Sequence, residues 1–174
     1  MKMKNDILDM NAKLKERAKT FVLNADDSWG NFDNSYRQII KGKWHEVKFL
    51  DSSGDVLHDS MNSIPNDTGG IYVFVAKPNI IPDIHQYILY IGRAQCTKSQ
   101  NLKKRCREYL NGNRPQIFEM VALWGEYLYI KYLPLSDNDI IKKLEDELIR
   151  AIDPPCNTRY PDKIRNIAKQ MAFR

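Results

Sequence analysis

The stretch Gly69-Gly70-Ile71-Tyr72-Val73-Phe74-Val75, answered by Tyr87-Ile88-Leu89-Tyr90-Ile91-Gly92, decides how this chain folds. Both runs are β-branched and aromatic, the composition that suits a pleated, half-buried surface, and they read as two paired strands. Pro78 and Pro82 between them lack the N–H that a ladder needs. The connection is therefore a loop of roughly ten residues and not a tight hairpin turn.

Working outward, residues 101–110 are strongly helical and stop at Asn111-Gly112, and a second helix is expected over 115–124, where Pro115 suits the first turn. Residues 127–133 alternate and read as a third strand. Ser136-Asp137-Asn138-Asp139 has the character of an N-cap with acidic residues in the first turn, opening a helix that ends before Pro154-Pro155. The order strand, strand, helix, helix, strand, helix makes a small α+β domain over 69–160. Before it, residues 5–23 place Ile7, Met10, Leu14, Ala18, Phe21 and Val22 at helical spacing, a leading amphipathic helix within an extension over 1–68. The rest of that extension is rich in Asp, Asn, Ser and Gly, with a helix around 36–40 and a strand around 44–50. A short helical tail over 161–174 closes the chain.

Composition narrows the function. The chain has 174 residues, 43% apolar and 28% charged, which is ordinary globular composition. No run approaches the ~18 apolar residues of a membrane span, and the charged start is not followed by an apolar signal region, so a cytoplasmic protein is expected. Cys96, Cys106 and Cys156 are odd in number and widely spaced, which supports neither a disulfide framework nor a thiolate zinc site. His45, His58 and His85 have no ligand spacing and read as surface residues. Glu46-Val47-Lys48, with Asp33 upstream, only faintly mimics an E-x-K element of the kind some nucleases carry, a tripeptide that occurs often by chance. Charge is uneven: residues 93–110 hold six bases and one acid, residues 158–174 five bases and one acid, and residues 24–68 eight acids and four bases. Clustered Lys and Arg suit a polyphosphate partner, although a solvated helix face produces the same pattern.

Two polar residues stand where apolar ones belong. At about 100° per residue from Ile141, the residues Leu144, Leu148, Ile152 and Ile149 form an apolar stripe, and Glu145 falls within it at about 40°. Asp146 and Glu147 fall at about 140° and 240°, where a solvated carboxylate belongs. A carboxylate on an apolar stripe is costly unless paired, neutralised or bound to a metal. On the helix over 101–110, Arg105 and Tyr109 are i,i+4 neighbours at the edge of the stripe formed by Leu102, Cys106 and Leu110. A guanidinium held there suits bidentate phosphate contact or a structural stacking role.

Gly70-Ile71-Tyr72 and Tyr90-Ile91-Gly92 resemble the two signature triplets of the GIY-YIG nuclease superfamily. The run Tyr90-Ile91-Gly92-Arg93-Ala94 and then Asn101-Leu102-Lys103-Lys104-Arg105-Cys106-Arg107-Glu108-Tyr109 is similar to the region after its second triplet. Leu144-Glu145-Asp146-Glu147-Leu148-Ile149-Arg150, followed by Pro154-Pro155-Cys156-Asn157, resembles its metal-binding helix and the asparagine beyond. The nearest patterns are the nuclease domain of the bacterial excision-repair incision subunit and small GIY-YIG restriction enzymes. The resemblance implies a small α/β sandwich with a three-stranded antiparallel sheet flanked by helices. It implies that Tyr72 and Tyr90 face a scissile phosphate, with Tyr72 favoured as the group that orients the attacking water. Arg105 would hold the phosphate with Tyr109 beside it, Glu145 would be the side-chain ligand of one Mg²⁺ or Mn²⁺ ion, and Asn157 would order the site. Arg93, Lys98, Lys103, Lys104 and Arg107 would contact DNA. Seventeen residues separate Tyr72 from Tyr90, more than is usual in the family, so the loop over 76–86 is an insertion.

The expectation is a divalent-metal-dependent endonuclease of restriction or defence type, with double-stranded DNA as its partner, no membrane partner, and a homodimer left open. Repair or mobile-element service, RNA as substrate, and a non-catalytic DNA-binding module on the same scaffold are the alternatives.

Overall fold

The computed structural model describes residues 32–111 and 114–159. The helices expected over 5–23 and 162–173 lie outside the described residues. Four strands and four α-helices follow in chain order: α1 (Asn34–Ile40), β1 (His45–Lys48), β2 (Gly69–Ala76), β3 (Tyr87–Ala94), α2 (Leu102–Arg107), α3 (Pro115–Trp124), β4 (Leu128–Leu135) and α4 (Asn138–Ile152). The strands form one antiparallel sheet in the order β1-β4-β2-β3. The class is α+β as expected, but the sheet has four strands and not three. The extra strand comes from the segment placed ahead of the domain: His45, Glu46, Val47 and Lys48 pair with Tyr132, Lys131, Ile130 and Tyr129 of β4. β1 lies within the span 44–50 where a strand is expected; only its membership of this sheet is not legible in the sequence, because sheet membership is decided by pairing and not by local pattern.

The two faces of the sheet bury alternate residues, as a period of two requires. Ile71, Val73, Val75 and Ile91 meet Ile141, Leu144, Leu148 and Ile149 of α4, together with Phe32 and the apolar side of α1. Tyr72, Phe74 and Tyr90 face the other way, against Leu102, Cys106, Tyr109, Ile117 and Met120 from α2, α3 and the turn between them. Met61, Ile64, Phe49 and Leu50 join this second core. The described part of the leading segment thus packs into the same domain. Among the described residues no helix is long and apolar enough to cross a membrane.

Capping follows the sequence closely. The Asp137 carboxylate accepts hydrogen bonds from the backbone N–H groups of Asp139 and Ile140 at the start of α4, and Asn101 Oδ1 accepts from Lys104 N, 2.8 Å away, at the start of α2. Regular helix in α2 ends at Arg107, earlier than the pattern suggested. Glu108 to Leu110 continue as turns, the Leu110 N–H bonding to Arg107 O, and Tyr109 turns inward there.

Candidate active site

One register position determines where the phenols point. Tyr72 on β2 pairs with Gly92 on β3, and the Tyr72 ring lies over that glycine: a Cβ at residue 92 would stand 2.5 Å from Tyr72 Cζ. The absent side chain lets the ring lean across β3 towards its outer edge. Between Phe74 and Val75 the β2–β3 register shifts, so that Leu89 and Tyr90 both serve the α2–α3 face. Such an extra residue re-aims the side chain beside it. Gly70 has a φ of 152°, and a side chain there would run into the Leu133 carbonyl of β4. Each signature glycine therefore has a steric reason to be glycine.

Three phenols form a chain. Tyr72 Oη lies 2.5 Å from Tyr109 Oη, and the Tyr109 hydroxyl donates to Tyr90 Oη at 3.2 Å. Tyr72 is fully buried and Tyr90 is 9% exposed. Burial pushes the Tyr72 hydroxyl well above the ordinary phenol range, with Tyr109 and Tyr90 adding to the effect and Arg105 opposing it. Burial likewise raises Tyr109. Both remain neutral phenols at neutral pH. Arg105 stands over the Tyr109 ring, its Cζ 5.4 Å from the centroid, and donates to Glu108 at 2.8 Å. Burial disfavours its charge, but the neighbouring phenols and Glu108 more than offset that, and the guanidinium is held above its ordinary value. Arg105 on α2 and Tyr109 in the turn after it thus meet as the i,i+4 spacing suggested.

Because β3 is an edge strand, side chains from both faces of the sheet reach one cleft. It has a volume of about 610 Å³, and Tyr72, Tyr90, Arg93, Arg105 and Glu145 all line it. Tyr72, Tyr90 and Arg105 come from the α2 side. Glu145 comes from α4, where its side chain is 14% exposed, and Arg93 of β3 makes an ion pair with it through Nη1 and Oε2. Burial pushes the Glu145 carboxyl above the ordinary glutamate value, Arg93 pulls it back and nearby Asp146 raises it again. In metal-free protein this carboxyl is expected to titrate above an ordinary glutamate in a ¹³C NMR titration, and further above it in Arg93→Gln. A folded-state pKa above the unfolded one favours the folded state below the unfolded value, and that advantage is lost as pH rises through the folded value.

Asn157 is buried beneath this arrangement. Its Oδ1 accepts from Ile91 N at 2.9 Å and its Nδ2 donates to Ile91 O at 2.8 Å, while Cys156 N donates to Leu89 O. One side-chain amide thereby pairs the free edge of β3 as a further strand would. Asn138 repeats the device on the loop after β3, accepting from Cys96 N at 2.9 Å and donating to Cys96 O at 3.1 Å. Sequence reading gave Asn138 only a place in the cap region of its helix. Asn157→Ala is expected to leave both Ile91 groups unpaired, costing about 2–4 kcal/mol and roughly 5–15 °C of melting temperature. Thermal unfolding followed by circular dichroism measures it.

The expected DNA contacts divide. Arg93 lies in the cleft, whereas Lys103, Lys104 and Arg107 line a neighbouring groove of about 420 Å³ with Asn66, Asn101 and Glu108, and exposed Lys98 lines neither. Arg114, Lys142, Asp146 and Arg159 line the cleft without having been singled out for it. The signal for two of them was on the α4 wheel. Glu145, Ile149, Lys142 and Asp146 occupy about 40°, 80°, 100° and 140°, a continuous strip flanking the buried stripe. Asp146 was read as solvated because that flank was taken to face water.

A divalent metal fits this donor set in one form. Among the described residues no group of three His, Cys, Asp or Glu side chains is placed to hold an ion. Mg²⁺, which keeps several waters and accepts one or two carboxylates, suits Glu145 with Asp146 beside it in a cleft of this volume. No family model, no curated protein and no solved structure matches this chain.

Proposed function

We propose that the protein is a metal-dependent endonuclease of the GIY-YIG type that hydrolyses phosphodiester bonds in DNA. The observation that carries this reading is the convergence of Tyr72, Tyr90, Arg105, Arg93 and Glu145 on one cleft from four separate positions in the chain. A scissile phosphate seated there meets the Arg105 guanidinium, whose planar fork binds two of its oxygens and takes up charge as the five-coordinate state forms. Tyr90 accepts a hydrogen bond from the attacking water and orients it in line. The expectation favoured Tyr72 for this role. Complete burial of Tyr72 argues instead that it acts with Tyr109 to fix the Tyr90 hydroxyl through the phenol chain. As the water oxygen bonds to phosphorus, the P–O bond to the leaving deoxyribose breaks; the attacking water gives up one proton to solvent at the cleft mouth and the leaving oxygen takes one from it. A divalent ion on Glu145 would supply Lewis-acid neutralisation of the phosphate. Cleft-lining Arg114, Lys142 and Arg159 supply charge for the flanking backbone.

A second reading has its own observation. The Arg93–Glu145 pair gives the carboxylate a partner without any metal ion, which is what a non-catalytic DNA-binding module on this scaffold would need. Incubation with supercoiled plasmid in Mg²⁺ and in EDTA separates the two. Nicking or linearisation confined to Mg²⁺ is expected, with discrete fragments from a sequence-specific enzyme of restriction type and a smear from a nonspecific one. DNA binding without cleavage supports the module, and cleavage of single-stranded RNA alone would move the substrate to RNA.

A further inference from the structure

The Arg93–Glu145 pair joins a residue that the resemblance makes a DNA contact to the carboxylate that the proposed function gives to a cation. Arg93 sits on the outer strand β3 with its side chain 32% exposed, while Glu145 sits on α4 behind it and is 14% exposed. The arginine is thus open to anything entering the cleft. A cation approaching Glu145 meets a guanidinium already bonded there, and like charges at such separations repel strongly where water is partly excluded. A phosphodiester in the same cleft offers Arg93 a second anion, one that matches its planar fork.

We infer that Arg93 is a latch on Glu145: in the free protein it occupies the carboxylate, and a DNA phosphate draws it away, so that DNA and a divalent cation bind cooperatively. This rests on the proposed function and adds to it an order of assembly. Reciprocity follows, because a coupling between two bound ligands acts equally on both affinities. The other charged groups lining the cleft fit this division. Arg105, Arg114, Lys142 and Arg159 attract the DNA backbone, and Asp146 beside Glu145 favours a cation once the latch has opened.

Mn²⁺ binding, followed by isothermal titration, tests the latch without relying on turnover. In free protein, Arg93→Gln is expected to bind Mn²⁺ about 5- to 20-fold more tightly than wild type, within the usual range of couplings between sites. Arg93→Lys, which keeps the charge but loses the fork, is expected to fall between them, and Glu145→Gln to lose binding. In an Arg105→Ala background, which suppresses cleavage, a saturating 20-base-pair duplex is expected to tighten Mn²⁺ by a similar factor. That gain should vanish when Arg93→Gln is added. Circular dichroism establishes that each variant is folded. Unchanged or weaker Mn²⁺ binding by Arg93→Gln, with binding still lost in Glu145→Gln, overturns the latch and leaves the metal ligand standing. Wild-type binding by Glu145→Gln overturns the metal assignment itself, and the latch with it.

Discussion

Glu145→Gln is expected to lose cleavage of plasmid DNA in Mg²⁺ by about a thousandfold or more while keeping its fold and its grip on duplex. Removing a metal ligand forfeits several kcal/mol of charge stabilisation in the transition state, and each 1.36 kcal/mol is about tenfold in rate. Fold is spared because Gln has nearly the same shape, and because burial opposes the charge of this carboxyl in the first place. What the fold loses is the ion pair to Arg93, a residue exposed enough that solvent takes up its guanidinium. Melting temperature within a few degrees of wild type, with duplex binding in EDTA no weaker than that of wild type, would assign the loss to chemistry. A large fall in melting temperature would assign Glu145 a structural role instead.

The second large effect lies at a residue with no side chain. Gly92→Ala is expected to destabilise the domain by about 3 kcal/mol, the upper part of the range for overpacking a tight core. The new methyl group would fall on the Tyr72 ring, and that ring has nowhere to go. It is fully buried, its hydroxyl is tied to Tyr109, and its face packs edge-on against Phe74. Any protein that still folds must tilt the phenol chain, and a displacement near 1 Å in a catalytic constellation costs about a hundredfold in rate. Urea unfolding and single-turnover cleavage, taken together, check both parts. A variant with wild-type stability would contradict the ring-over-glycine geometry.

These two residues also show how much of the molecule could be read from its sequence. Strands β2 and β3, the Asp137 cap and the Glu145 anomaly each follow from residues close together in the chain, where local composition and spacing carry the geometry. Gly92 was noticed as part of a pattern, but its cause, a ring from the neighbouring strand, depends on register. β1 escaped assignment to the sheet because its partner lies more than eighty residues downstream. Arg93 and Glu145 are 52 residues apart, and nothing local marks them as a pair. The same holds for Asn157, whose amide completes a strand edge that only the folded sheet possesses. The two signature tyrosines differ for a related reason: their local sequences are alike, and only the folded packing leaves Tyr72 fully buried and Tyr90 9% exposed.

Single-turnover cleavage of an end-labelled duplex by wild type and Arg105→Ala, with protein in excess and Mg²⁺ saturating, addresses the central claim directly. The site described here predicts a rate at least about a hundredfold lower for Arg105→Ala, with duplex affinity changed only a few-fold, since the guanidinium acts on charge that develops in the transition state. Equal rates for the two proteins would mean that DNA is cut elsewhere, and that this cleft is not where the reaction occurs.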